Sequence, residues 1–206
     1  MCEPASSGSG RASDPRRRPV PNAGVTGPPA VLVRTPRLDL RPLAESDLAA
    51  LHAISTDPVV RRFLWDDRVV TREECAELLA ESRRRFEESG VGLFGITLRG
   101  SAPLLGYAGL WPMGEPPVLE LLYAIHPEHG GRGLATEVAR GVMAYGTRKL
   151  GLAQFRASVD APNVASVRLL ERLGFTADPG DGEQALRHFR RPAGGTDDAS
   201  VECLGP

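Results

Sequence analysis

The spacing of apolar side chains changes period several times between residues 30 and 192, and each period predicts one kind of element. Alternating or continuous apolar runs predict strands at 37–43, 94–98, 105–111, 118–125, 153–159 and 184–190. Apolar residues three and four apart predict helices at 46–54, 58–64, 71–90, 132–149 and 163–173, the first of them capped by Ser46. Their order predicts an α/β (α+β) fold, a mixed sheet flanked by helices.

Glu120 is the one charged residue in the apolar run 118–125, which predicts a central strand buried on both faces. A carboxylate there is costly unless it is paired or has a task, and a carboxylate withdrawn from water suits a general base. The alternative is a glutamate at a sheet edge that faces solvent or pairs with an arginine. Its position just before a glycine-rich turn favours the catalytic interpretation.

That turn is the run His126-Pro-Glu-His-Gly-Gly-Arg-Gly-Leu-Ala-Thr-Glu137, which leads into a helix. Unpaired amides at a helix start, a backbone bared by glycine and the cation Arg132 together suit a phosphate or pyrophosphate. The alternative is a plain tight turn. The run lacks the third glycine of a dinucleotide fingerprint and the lysine of a P-loop, so binding of NAD or ATP is the weaker hypothesis. His126 and His129 are rival bases, although an exposed turn favours solvated side chains.

Polar residues also follow the strand predicted at 153–159. Asn163 is a good helix cap, or it is an amide that binds a ligand in the neighbouring gap, and Ser166 lies one turn further on. The rare aromatic residues Trp65 and Trp111 either pack in the core or line a cleft for a second substrate.

Composition sets limits on function. The net charge is −1, from 25 Lys and Arg against 26 Asp and Glu, so no basic excess favours nucleic acid or an anionic membrane. The sequence has no apolar run long enough to span a bilayer. Three cysteines without metal-ligand spacing predict no metal site and favour a reducing cytoplasm. Residues 1–29 and 193–206 are predicted to be disordered tails, the second acidic, around a folded domain at 30–192.

Four segments together resemble the GNAT superfamily of N-acetyltransferases, and most closely the subgroup that acetylates ribosomal-protein N-termini. The segments are Thr35-Pro-Arg-Leu-Asp-Leu-Arg-Pro42, Glu120-Leu-Leu-Tyr123, Gly130-Gly-Arg-Gly-Leu-Ala135, and Asn163-Val-Ala-Ser166 with Leu173-Gly-Phe175. The first position of the family's phosphate loop departs from the pattern. Leu170 stands where many members have a tyrosine that protonates the leaving thiolate.

The resemblance implies an enzyme that transfers an acetyl group from acetyl-CoA to a primary amine by direct attack, in a gap between two splayed parallel strands. It implies catalytic roles for Glu120, as general base, and for Ser166. The implied cofactor residues are Tyr123, Ala124, Ile125, Gly131, Arg132, Gly133, Leu134, Ala135, Thr136 and Asn163, and the implied acceptor residues are Trp65 and Trp111. The acceptor is a small molecule or a peptide, and the protein is expected to be a monomer or homodimer. The alternative is a non-catalytic module of the same fold that binds CoA or a peptide.

Overall fold

The computed structural model of the protein describes residues 30–179, 185–194 and 200–204. These residues form one sheet of nine strands: β1 Val33–Arg34, β2 Leu38–Pro42, β3 Leu93–Leu98, β4 Leu104–Met113, β5 Val118–Ile125, β6 Gln154–Asp160, β7 Thr176–Ala177, β8 Leu186–Pro192 and β9 Glu202–Cys203. The helices are α1 Leu48–Thr56, α2 Pro58–Leu64, α3 Arg72–Ser89, α4 Leu134–Leu150 and α5 Val164–Arg172. The predicted α/β architecture is confirmed.

The sheet contains one parallel pair of strands. Its order is β7-β8-β6-β5-β4-β3-β2-β1-β9, and every neighbouring pair is antiparallel except β5 with β6. β5 and β6 share a single register pair, Glu120 with Arg156. Because Glu120 lies near the start of β5, the two strands separate along the rest of it. The sheet therefore carries a V-shaped gap that opens towards the glycine-rich turn.

Helices cover both faces of the sheet and divide the core into two layers. On one face α4 and α5 pack against the strands, and Val142 is fully buried there. On the other face α1, α2 and α3 do the same, and Leu51 is fully buried. Along β5, Leu121 belongs to the first layer and Ala124 to the second. Because side chains alternate along a strand, odd-numbered residues of β5 face α4 and α5, and even-numbered residues face α1 to α3.

The prediction that residues 118–125 are buried on both faces is wrong. Within β5 only Leu121 and Ala124 are fully buried, and the other side chains are half-buried. The separation of β5 from β6 is the cause, since it leaves one side of the strand without a packed neighbour.

The prediction that 193–206 is a disordered tail is also wrong for residues 200–204. β9 pairs antiparallel with β1 and completes that edge of the sheet. Val201 is only 4% exposed, and its carbonyl accepts a hydrogen bond of 2.6 Å from Arg148 Nη1. Backbone pairing and one buried apolar side chain fix a segment whose composition alone predicts no structure.

Two element boundaries also differ from prediction. Ser46 does not cap α1, because residues 45–47 form a 3₁₀ turn whose Asp47 carboxylate accepts a hydrogen bond of 2.8 Å from Ala44 N. α4 begins at Leu134 and not at 132, because Gly133, with φ of 73°, is its N-cap.

Residues 1–29, predicted to be disordered, lie outside the described residues, as do 195–199 and 205–206. Among the helices of the described part, none is long and apolar enough to cross a membrane.

Candidate active site

The glycine-rich turn exposes the backbone at the start of α4. After a 3₁₀ turn at Pro127–His129, Gly131 and Gly133 adopt left-handed backbone with φ of 72° and 73°. The first backbone bond of the helix runs from Glu137 N to Gly133 O, at 3.2 Å. The amides of residues 134–136 therefore point out of the helix end, where the dipole favours an anion.

The predicted loop residues differ in what they present to the solvent. Gly131, Arg132 and Gly133 are exposed, while Ala135 and Thr136 are half-buried. The side chain of Leu134 is buried in the core, so this residue can offer a ligand only its backbone. The loop thus combines one exposed cation, Arg132, with a row of main-chain donors.

The edge of β5 that faces the gap is bare. Tyr123 and Ala124 pair with β4 on one side, opposite Ala108 and Tyr107. On the other side, among the described residues, β6 pairs with β5 only at Glu120. The segment from Tyr123 to Ile125 therefore offers unpaired backbone groups to an extended ligand that enters the gap.

Glu120 lies at the apex of the gap, in the middle of the sheet. It is half-buried, and its Oε1 accepts a hydrogen bond of 3.0 Å from Ser158 Oγ on β6. It is neither at a sheet edge nor in an ion pair with any described residue, so the two structural alternatives for this glutamate do not apply. The sequence does not identify Ser158, because a single serine in a strand gives no indication of which residue it contacts.

The side chain of Glu120 faces the layer formed by α1 to α3. Its antiparallel neighbour on β4 is Trp111, and directly opposed residues project from the same face of a sheet. Trp65 and Trp111 are both half-buried and pack against the core of that layer. The Arg85 guanidinium stacks over the Trp111 ring, 5.3 Å from its centroid. Both tryptophans thus belong partly to the core and partly to the wall on the Glu120 side.

Two carboxylates that the sequence did not single out lie on the same side. Asp160 ends β6 with the same strand parity as Ser158, and burial together with the charge of Asp66 raises its pKa. Asp66 directly follows Trp65 and has a left-handed backbone, with φ of 51°. This side of the gap therefore carries three carboxylates, together with Arg156 opposite Glu120 in the register and Arg85 over Trp111.

Tyr123 and Ser166 lie on the opposite side, towards α4 and α5. Burial raises the pKa of the Tyr123 hydroxyl, and the nearby Ser166 hydroxyl and the Arg172 charge partly oppose that rise. Tyr123 Oη and Ser166 do not reach full hydrogen-bond geometry, so Oη has no partner among the described residues. Leu170 is fully buried in the core and carries no chemistry.

Asn163 caps α5 as its residue type predicts. Its Oδ1 accepts a hydrogen bond of 3.2 Å from Ser166 N. The cap uses the amide oxygen, which leaves the amide nitrogen as the atom that can donate to a ligand.

His126 and His129 belong to the turn. His126 Nδ1 accepts a hydrogen bond of 3.4 Å from Glu128 N and so caps the 3₁₀ turn. The two rings are 6.2 Å apart. This arrangement agrees with the interpretation that both histidines are residues of the turn and not bases.

The gap therefore has a carboxylate on one side of the sheet, hydroxyls on the other, and a helix start with unpaired amides at its open end. A family model described as "Acetyltransferase (GNAT) domain" matches residues 37–176, more than half of the chain. The chain belongs to the GNAT acetyltransferase family.

Relatives of this GNAT acetyltransferase span nearly its whole folded part. It is 29% identical over 174 residues to "Uncharacterized N-acetyltransferase YoaA" of Bacillus subtilis, covering 84% of this chain and 96% of that protein. It is 27% identical over 144 residues to the spermidine N(1)-acetyltransferase of Escherichia coli K12, covering 68% and 73%. Its fold matches RimL, a ribosomal L7/L12 alpha-N-protein acetyltransferase solved with coenzyme A, with a TM-score of 0.66, 16% identity, and coverage of 79% and 98%. The predicted resemblance is confirmed.

Proposed function

We propose that this acetyltransferase moves an acetyl group from acetyl-CoA to a primary amine by direct attack, with Glu120 as the general base. The observation that carries the proposal is the V-shaped gap, which ends in the glycine loop and has Glu120 at its apex. The cofactor would place its pyrophosphate on the amides of residues 131–136 and its extended arm along Tyr123–Ile125. The coenzyme A named in the structure of RimL supports this assignment.

The two sides of the sheet divide the chemistry between them. The acceptor amine enters from the side of Glu120, which accepts the proton that the nitrogen loses as the N–C bond forms. The C–S bond breaks, and the thiolate leaves towards the other side, where Ser166 and Tyr123 lie. The hydroxyl of Ser166 or Tyr123 protonates the thiolate, because the apolar side chain of Leu170 has no proton to give. Asn163 Nδ2 donates to the arm of the cofactor.

The acceptor side suits a cationic amine. Glu120, Asp66 and Asp160 supply carboxylates that can attract an ammonium group on this side, and Trp65 and Trp111 give it an apolar wall. An α-amine, with a pKa of about 7.7–8, arrives partly neutral at pH 7, whereas a lysine-type amine at about 10.4 must lose a proton at a cost of over ~4 kcal/mol. A built-in base matters most for the second class. Spermidine, which the named relative acetylates, is therefore a first acceptor to test, beside peptides with a free N-terminus.

A free-thiol assay tests the function. Full-length protein, acetyl-CoA and a panel of α-amines, polyamines and aminoglycosides are expected to release CoA with at least one amine and not without it. CoA binding with no release for any amine would support a binding module instead.

The unpaired Cys75 and Cys203 favour a cytoplasmic location for this activity.

The substitution Glu120→Gln tests the base. Gln keeps the shape and the hydrogen bond to Ser158 but accepts no proton. We expect unchanged CoA affinity and a kcat/KM lowered by about 10²–10⁴-fold near neutral pH, with the loss shrinking as the amine deprotonates in bulk solvent. Glu87→Gln, at an exposed position on α3, is the control and keeps wild-type rates. Parallel pH–rate profiles for Glu120→Gln and wild type would remove Glu120 from the mechanism.

A further inference from the structure

The glycine loop is tied to the turn between β1 and β2, about a hundred residues earlier in the chain. Arg37 Nε and Nη2 both donate to Glu137 Oε2, at 2.6 Å, and Arg37 N donates to Glu137 Oε1 at 2.9 Å. Thr35 Oγ1 also donates to Oε1, at 2.6 Å. Arg37 Nη1 reaches the loop itself and donates to the carbonyl of Arg132, at 2.9 Å.

This contact differs from an ordinary surface ion pair. The Arg37 side chain is 48% exposed, but Thr35 is 1% exposed and the Glu137 side chain is 13% exposed, so the carboxylate end of the pair is shielded with both oxygens occupied. Glu137 lies in the first turn of α4, where its oxygens would otherwise be free to turn towards the amides of the helix start. The β1–β2 turn holds the carboxylate away from that position and leaves the amides to a ligand.

The bond to Arg132 O sets the direction of the next amide. A trans peptide points its C=O and N–H in opposite directions. When Arg37 holds the carbonyl of Arg132, the N–H of Gly133 points away from Arg37. We infer that Arg37 is a positioning residue, supported by Thr35 and Glu137, which aims the Gly133 amide at the anion site before the cofactor arrives. This inference rests on the proposed binding of acetyl-CoA at the loop.

Arg37 acts through the backbone and does not contact the phosphates. Its charge is neutralised by Glu137, and its Nη1 is used by Arg132 O. Losing Arg37 together with Glu137 therefore loosens the loop and leaves the net charge around the ligand the same. A loop that must be ordered during binding costs affinity that a preorganised loop does not. In the double variant, which loses one charge of each sign, the salt dependence of binding, which reports on charges next to the ligand, stays unchanged.

The test is CoA affinity of the full-length protein by calorimetry, at two salt concentrations. We expect Arg37→Gln and Glu137→Gln each to raise the Kd by about tenfold, equivalent to about 1.4 kcal/mol. The double variant should be no weaker than either single one, because the two residues act as one unit. The KM for acetyl-CoA should rise while kcat stays the same. Arg34→Gln is the matched control, since Arg34 lies in the same hairpin and makes a comparable ion pair with Asp39 at 2.8 Å.

Amide exchange in the unliganded protein gives a second measurement. Arg37→Gln should lose protection within residues 130–136 and not in α5, whereas Arg34→Gln should lose it in neither place. If Arg37→Gln does not fold, Arg37→Lys replaces it, because lysine keeps the charge but cannot span Glu137 and Arg132 O together. It too should weaken CoA binding.

Three results would overturn the inference. One is wild-type CoA affinity in Arg37→Gln. Another is a loss of affinity with a flatter salt dependence in the double variant, which would make Arg37 a direct phosphate ligand. The third is absence of CoA binding by the wild-type protein, which would first overturn the proposed function and is visible before any variant is made.

Discussion

The substitution Gly133→Val should separate the cost of backbone strain from the loss of the ligand site. Gly133 has φ of 73° and caps α4. A Cβ built there meets only Arg37 Nη2, at 3.8 Å, which is ordinary contact. In the folded protein without ligand, the penalty is therefore conformational and not steric.

Gly100 provides a matched control. It lies in the β3–β4 turn with φ of 71°, and a Cβ built there meets nothing within 4 Å. For an L-residue the left-handed conformation costs about 1–2 kcal/mol, and a β-branched residue pays at least that much. Both Gly100→Val and Gly133→Val should lower the melting temperature by a similar amount, about 2–8 °C for a chain of this size.

Only Gly133→Val should lose CoA binding. A phosphate has to approach the bare backbone at the helix start, and two γ-methyl groups would stand in that space. We expect the Kd for CoA to rise at least tenfold, about 1.4 kcal/mol, for Gly133→Val and to stay at the wild-type value for Gly100→Val. Calorimetry with CoA gives the Kd, and thermal unfolding without CoA gives the melting temperature. Equal CoA affinity in both variants would refute the assignment of the loop.

The remaining predictions concern stability and the chain ends. Asp47→Asn should destabilise the protein by about 3–5 kcal/mol in urea unfolding, because Arg41, which binds both oxygens of Asp47 at 2.7 and 2.8 Å, is left buried without its counter-ion. Burial raises the pKa of Asp47, but the hydrogen bonds from Arg41 and Ala44 N bring this pKa below its usual value. The stability that the Asp47 carboxylate contributes is therefore fully present above about pH 4, and it is lost as the pH falls through the lower pKa of the folded state. Ending the chain after residue 194 should lower the melting temperature, because it removes β9; an unchanged melting temperature would show that this strand contributes nothing. Removing residues 1–29 should leave CoA affinity unchanged in the same titration.

Local sequence patterns predicted the parts of the site that are local in the chain. The glycine loop, the strand that carries Glu120 and the cap at Asn163 each lie within a few residues of the signal that identifies them. A period of two also assigns Glu120 and Tyr123 to opposite faces, since they are three residues apart. Only the packed structure shows that α1 to α3 cover the face that carries Glu120.

Contacts between distant segments could not be predicted in this way. The bonds from Arg37 to Glu137 join residues 100 apart, and neither residue stands out in its own segment. β9 is two residues long and is held by backbone pairing, which has no side-chain signature. Ser158 matters because the register of β6 sets it beside Glu120, and register is a property of the sheet.

The most direct test of the account follows the acetyl group itself. Wild-type protein is mixed with acetyl-CoA that carries an isotopic label in the acetyl group and with the best acceptor from the thiol assay, and products are analysed by mass spectrometry within a single turnover. The account predicts that the label appears on the acceptor nitrogen as CoA is released, with no acetylated form of the protein at any time. Label that stays on acetyl-CoA while the protein binds it, or that passes through a protein side chain, would contradict direct transfer in the gap.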